Sequence, residues 1–307
     1  DFFKIFGGKF SKTPQCKLQL IFNYLTGTIE QIDITKSTDN DPAYHHQLLS
    51  LLKERALLIV DLGYFSVKFF SEINAKGAYF ISRLKQTVTV FHTKTTNKLN
   101  LLKMAKKSDE DEFEFKALLG KEKLESRIIA VKVPQEVAKA RRDKYKNICQ
   151  RKSRNVNKEH LEQLGWSFFV TNIPEKIMPA AQIILLYSIR WQIELIFKTL
   201  KSVLSVDFTM VRDNVNRIIF EIYGRLILAA FLTKVHSAIN EINIQDNNIE
   251  MSLDKVVKRF KDRSLKLMEA LLDDIQKAHR YFKEVLDVCN KTCFKEKIKS
   301  DQKNHRC

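Results

Sequence analysis

A carboxylate, two kinds of cation and a phenol recur at helical spacing in the second half of the chain. Tyr187, Arg190, Glu194 and Lys201 follow one another at intervals of three, four and seven residues. At roughly 100° per residue these four fall within about 60° of one another on one side of a helix, and Lys198 joins the same stripe. Ile189, Ile193, Ile196 and Leu200 cluster well away from it and are expected to face a core, with Phe197 at the boundary. Such a stripe suits a phosphate-bearing strand end. Glu194 would hold a metal ion, the cations would hold phosphates, and Tyr187 would donate a hydrogen bond. The same pattern also suits a solvated face laced with intrahelical ion pairs.

Asp61 is the second chemical feature. It ends the apolar run Ala56-Leu-Leu-Ile-Val-Asp61. A carboxylate there must be solvated, paired or metal-bound, because a lone buried charge is costly. The carboxyl ends of strands are also where open α/β sheets place ligands. The plainer alternative is a strand cap that organises the Leu62-Gly63 turn.

The elements that must carry these residues can be read from pattern. Leu18 to Tyr24 and Thr28 to Thr35 are β-type runs around a Thr26-Gly27 turn signal, hence a hairpin. Pro42 opens a helix to about Glu54. Residues 56–61 form a short buried strand, Phe65 to Ala75 a helix closed by Lys76-Gly77, and Ala78 to Arg83 another strand. Polar β-like pieces follow (Thr87 to His92, Glu112 to Leu118, Arg127 to Val133), then a basic helix from Pro134 to Lys158. Trp166 to Thr171 is a strand and Pro179 to Leu204 a long helix. Helices are expected over Ile218 to Ile239 and Leu253 to Val288, and the last fifteen or so residues are too polar and Lys-rich to pack.

The charge is strongly basic, with 53 Lys+Arg against 36 Asp+Glu and a formal net charge of +17. A polyanionic partner suits that surplus, since phosphates neutralised by Lys and Arg release counterions. Ten basic and two acidic residues lie between Lys132 and Lys158, and fifteen basic against eight acidic from Lys255 onward. A soluble, Lys-rich protein with no such partner is the bland alternative. The odd, scattered cysteines (Cys16, Cys149, Cys289, Cys293, Cys307) indicate a reducing compartment. Cys289 and Cys293 with His305 and Cys307 imitate a metal cluster, but the spacing fits no standard zinc module. No run of about 20 uninterrupted apolar residues is found, so a cytoplasmic protein without a membrane partner is expected.

Taken together, the chemical features carry a resemblance. Asp61-Leu-Gly-Tyr64 resembles the Asp-x-Gly-Tyr motif at the second catalytic aspartate of DDE insertion-sequence transposases. Tyr187-Ser-Ile-Arg-Trp-Gln-Ile-Glu194, followed by Lys201, is similar to the Tyr-(2)-Arg-(3)-Glu-(6)-Lys signature of the insertion-sequence-four type, and the Val-Thr-Asn-Ile-Pro run ending at Pro174 looks like the segment before it. The resemblance covers about residues 1 to 240.

It implies an α/β, ribonuclease H-like mixed sheet with a β-rich insertion and a C-terminal helical region. The corresponding division is 1–84 and 165–240 for the core, 85–164 for the insertion and 241–307 for the helical end. It implies two divalent ions, Mg²⁺ or Mn²⁺, held by two Asp and one Glu, with Asp61 and Glu194 among the ligands. Tyr187, Arg190, Lys198 and Lys201 become phosphate contacts, and Arg141, Arg142 and Lys144 of the basic helix are expected on the DNA backbone. Trp166, 28 positions before Glu194, matches a tryptophan that stacks a flipped-out base in related hairpin-forming transposases. Double-stranded DNA, as transposon ends and target, and a homodimer on that DNA are the expected partners.

One departure stands out. The family's first Asp lies on a strand ahead of the hairpin, and this chain starts almost at the hairpin. Asp33, Asp39 and Asp41 follow in the wrong topological place. The first catalytic Asp is therefore expected to be absent. A non-catalytic DNA-binding remnant and a ribonuclease H-like nuclease remain the rival readings.

Overall fold

The computed structural model describes residues 16–108, 110–205, 215–247 and 249–295. The chain divides into two compact units: residues 16–39 with 191–295, and residues 40–190.

The first unit opens with the expected hairpin, β1 (Cys16–Asn23) and β2 (Thr28–Lys36), paired antiparallel with a register shift at Ile21/Phe22. The Asn23 side chain accepts from the amides of Leu25 and Thr26, and Gly27 turns the chain at φ +63°. A side chain at Gly27 would collide with Ser237, so the turn needs glycine twice over.

The second unit begins with a 3-10 turn (Asp41–Tyr44) and α1 (His45–Leu51). Next come β3 (Leu57–Val60), α2 (Val67–Ala75) and β4 (Tyr79–Arg83). β3 and β4 are parallel, as a helical crossover requires. Ser66 caps α2, and its Phe70 is fully buried with its ring stacked on Phe80, 4.3 Å between centroids. The segment expected as an insertion contributes β5 (Val90–His92), α3 (Leu101–Lys107), β6 (Glu112–Leu119), β7 (Leu124–Lys132), α4 (Gln135–Arg151) and α5 (Lys158–Gln163). β8 (Trp166–Thr171) and α6 (Ala180–Ile189) complete the unit.

These strands form one six-stranded mixed sheet of order β3-β4-β8-β7-β6-β5, consistent with a ribonuclease H-like fold. The insertion strands thus extend the same sheet. Under one face Ile81, Ile129 and Phe169 meet Ile183 and Tyr187 of α6. Arg127, only 7% exposed, pairs with Glu114 and donates to the Met178 carbonyl at 2.6 Å, fastening the approach to α6. A buried guanidinium needs such complete pairing.

The first unit resumes with α7 (Trp191–Ser202), α8 (Val215–Asn247), α9 (Leu253–Asp273) and α10 (Ile275–Thr292). Ile196 and Leu200 of α7 join Leu226, Leu232, Val257 and Phe260 in its core, with the hairpin's Leu18, Leu20 and Phe22 packed alongside.

Two expected helices are each broken. Asp274 accepts from the amides of Gln276 and Lys277 and so starts α10 afresh, dividing the expected 253–288 helix. The 179–204 helix breaks at Arg190, whose amide bonds back three residues to the Tyr187 carbonyl at 3.1 Å. By length and mean hydropathy 180–202 could cross a membrane, but this break and the Arg190, Glu194, Lys198, Lys201 stripe argue against that use. The helix expected from Pro42 is the 3-10 turn plus the short α1, and the basic helix ends at Arg151. The expected polar tail, with His305 and Cys307, lies outside the described residues.

Candidate functional site

Asp61 sits where the apolar strand β3 runs out. Val60 before it is 4% exposed, whereas the Asp61 side chain is 56% exposed. Its carbonyl accepts from the Tyr64 amide at 3.0 Å, closing the short 3-10 turn Leu62–Tyr64. Arg190 arrives from the far end of the unit's sequence, its Nη1 3.6 Å from Asp61 Oδ1. Tyr187, one turn earlier on α6, lies beneath the guanidinium, with the Arg190 carbon 5.8 Å from its ring centroid.

Thus the Asp-x-Gly-Tyr turn and the Tyr–Arg start of the helical signature, more than 120 positions apart in sequence, are neighbours in space. Tyr187 departs from expectation. It is 6% exposed, edge-on to Phe169 at 5.2 Å, and is not on an open face. Burial pushes its phenol pKa up; nearby Asp61 adds to that, and Arg190 and Arg83 oppose it. Tyr64 is pushed up to about 12, first by burial and then by the carboxylates of Asp41 and Asp61.

Glu194, Lys198 and Lys201 are on α7, in the other unit. Glu194 is in its first turn and half-buried; Lys198 and Lys201 are exposed. Of the four positions expected to face the core, Ile196 and Leu200 are buried, whereas Ile189 and Ile193 are only partly so.

The basic helix α4 uses two of its cations internally. Arg141 Nη1 donates to Ser167 Oγ at 3.1 Å, and Arg142 Nε to the Leu161 carbonyl at 3.0 Å. Burial and the neighbouring Arg83 hold the Arg141 pKa below its usual value. Lys144 is exposed. Trp166, at the head of β8, meets Phe113 edge-on at 5.7 Å and helps line a cleft of about 380 Å³. Arg83, Lys85, Lys98, Asn100, Gln163 and Phe168 also line that cleft.

Among the described residues no group of three or more His, Cys, Asp or Glu is gathered as a metal cluster. Asp61 is nonetheless the right kind of donor for a hard divalent ion, an accessible carboxylate oxygen at a strand end. Cys289 of α10 and Cys293, which caps its C-terminal end, are fully buried, and burial first, then Cys293, pushes the Cys289 thiol up to about 12.

Sequence reasoning missed Arg83 and Asp41 near the site and Lys98 on the Trp166 cleft. Arg83 is a charged end to an apolar strand, the same signal that picked out Asp61. Lys98 and Asp41 carried no signal in spacing or pattern. Asp41 was set aside on topology as the first catalytic aspartate, yet the fold brings it onto the Asp61 turn.

A family model described as the transposase DDE domain matches residues 3–230, well over half of the chain. The chain belongs to that family. It is similar to the transposase for insertion sequence element IS231B of Bacillus thuringiensis subsp. berliner, 28% identical over 92% of this chain and 63% of the relative. It is also similar to the transposase for insertion sequence element IS1151 of Clostridium perfringens, 26% identical over 72% of this chain and 50% of the relative. The putative transposase InsL for insertion sequence element IS186A of Escherichia coli (strain K12) is 42% identical over a shorter stretch, 27% of this chain and 22% of the relative. The chain spans less than two thirds of the length of each of these relatives.

Proposed function

We propose that this chain is the catalytic part of an insertion-sequence transposase of the Tyr-Arg-Glu-Lys type, which cleaves transposon ends and joins them to target DNA. The observation that carries the reading is the approach of Arg190 to Asp61, which brings the Tyr187–Arg190 start of the signature to the Asp-x-Gly-Tyr turn. The named relatives and the matched DDE domain support it. Residues 1–84 and 165–240 would supply the core, 85–164 the insertion and 241–307 the helical end.

Asp61 and Glu194 would hold Mg²⁺ or Mn²⁺. When bound, two such ions activate the attacking oxygen and stabilise the leaving oxygen of an in-line phosphoryl transfer. The chain's own residues bind and orient the DNA. Arg190, already beside Asp61, and the exposed Lys198 and Lys201 would grip the terminal phosphates. Tyr187, being buried, would act by supporting Arg190 from below. Lys144 would contact the backbone, with Arg141 and Arg142 holding its helix against β8 and α5. Trp166 would offer a stacking face inside a cleft whose cations suit a nucleotide phosphate. The reading implies a homodimer on double-stranded DNA and a cytoplasmic setting, where the free thiols of Cys16, Cys149, Cys289 and Cys293 stay reduced.

The family resemblance implies three carboxylates, of which two are matched. We therefore expect the 307-residue chain to bind duplexes copied from the DNA flanking its gene, with a steep salt dependence, and to leave them uncut in Mg²⁺ or Mn²⁺. Efficient nicking by this chain would mean that a third carboxylate comes from within it. Absence of DNA binding at low salt would overturn the transposase reading itself.

A further inference from the structure

The glycine of the Asp61-Leu-Gly-Tyr64 turn does not adopt a left-handed backbone, so conformational freedom does not explain it. A neighbour does. A Cβ on Gly63 would collide with Asp41 Oδ2, and the Asp41 Cγ and Cβ lie 3.4 and 3.8 Å from that point. The Asp41 carboxylate is therefore seated directly on the Gly63 backbone. Its own position is fixed, because Asp41 begins the 3-10 turn that Asn40 caps by accepting from the Ala43 amide at 3.1 Å.

The same segment grips the Asp61 turn a second time. His45 Nε2 donates to the Tyr64 carbonyl at 2.8 Å, with its ring stacked on Phe69 at 3.9 Å and an interplanar angle of 2°. Burial lowers the His45 pKa, which favours the neutral ring. Asp41 over Gly63 and His45 on Tyr64 hold two successive residues of the loop that Asp61 opens. The turn's own bond, Tyr64 amide to Asp61 carbonyl, lies between these holds.

We propose that Asp41 is a positioning residue for Asp61: seated on Gly63, it fixes the Asp61–Tyr64 turn and so sets the direction in which Asp61 presents its oxygens to a divalent ion. This rests on the reading of Asp61 as a metal ligand. Residues that orient a ligand from behind commonly change metal affinity by about 10- to 100-fold when removed. Gly63→Ala would drive a methyl into the place Asp41 occupies, so it should act like loss of Asp41.

The test titrates the full chain with Mn²⁺, reading free ion by electron paramagnetic resonance, alongside metal-free thermal melts. Asp61→Asn should abolish the site. Asp41→Asn and Gly63→Ala should each weaken it about tenfold, with melting temperatures within about 3 °C of the parent. If Asp61→Asn abolishes binding and Asp41→Asn leaves it at the parent value, the positioning role is overturned while the metal reading stands. If Mn²⁺ binding is indifferent to Asp61→Asn, the metal reading itself fails. Amide exchange then decides whether Asp41 holds the turn. About tenfold lower protection of the Tyr64 amide in Asp41→Asn supports that part of the proposal, and unchanged protection removes it.

Discussion

Replacing Arg190 with alanine separates packing from phosphate recognition. At 3.6 Å from Asp61, two unit charges attract by about 1 kcal/mol in a water-like medium and about 5 kcal/mol at an effective dielectric of 20. Asp61 is more than half exposed, so the lower figure is the relevant one, in line with the roughly 0 to 1 kcal/mol of solvent-screened pairs. The arginine stem, about three quarters buried beside Tyr187, adds packing of about 1 kcal/mol. Arg190→Ala should thus destabilise by roughly 1 to 2 kcal/mol in urea denaturation. Ile183→Ala, in the fully buried core of the same unit, should lose about 2 to 5 kcal/mol. Fluorescence anisotropy on a DNA-end duplex supplies the second readout. There the order should invert, with Arg190→Ala weakening binding strongly and Ile183→Ala hardly at all below its own melting point. A loss of 3 kcal/mol or more for Arg190→Ala, together with unaltered DNA affinity, would refute the reasoning and make Arg190 a structural residue.

Two further outcomes follow from groups around the site. Lys144→Gln should lower the log–log salt slope of DNA binding by roughly one, and Arg141→Gln should lower stability by loosening α4 from Ser167; an unchanged slope for Lys144→Gln returns that lysine to ordinary solvent. Tyr64, raised from 10 to about 12, favours its neutral form in the folded protein, so its contribution to stability is complete below pH 10 and is lost as pH climbs towards 12. In absorbance titration at alkaline pH, Tyr64→Phe should remove a late step. Asp41→Asn should move that step part of the way down towards 10, because it deletes one of the charges that raise it; a Tyr64 step already at 10 would contradict the burial and the two carboxylates that raise it.

Strands were the most legible part of the chain. β8 was read to the residue, and the hairpin, β3 and β4 within one or two residues, because apolar runs bounded by turn residues carry local signals. Helix breaks were less so. Asp274 acts as a cap, and a lone Asp inside an amphipathic pattern does not announce that role. The break at Arg190 had a larger effect. Angles computed along one continuous helix gave Tyr187 the same outward face as Glu194, phased by Ile189, Ile193, Ile196 and Leu200. In the folded unit α6 is phased by Ile183, fully buried and one turn before Tyr187, so Tyr187 follows it under the sheet. Spacing fixes the angle between residues on one helix, but not which side meets the sheet, nor the phase beyond a break. Asp41 was illegible for another reason. Its meeting with Gly63 is a tertiary contact across a helix, a loop and a strand, with no period to betray it.

Exposure tells apart the uses of two arginine–carboxylate pairs in the second unit. Arg127 and Glu114 are 7% and 26% exposed, and the guanidinium also holds the Met178 carbonyl. Breaking that pair would strand a buried charge, typically a loss of about 3 to 5 kcal/mol, so it cannot be exchanged for a ligand during a reaction. Arg190 and Asp61 are 23% and 56% exposed and stand 3.6 Å apart, beyond good hydrogen-bond length. Such a pair is weak enough for each member to trade its partner, the guanidinium for a phosphate oxygen and the carboxylate for a cation. Until then each lowers the other's isolation at an open strand end. On the proposed function, that exchangeability is what a site of this kind needs, and the rigid buried pair at Arg127 is what keeps the approach to α6 in place while it happens.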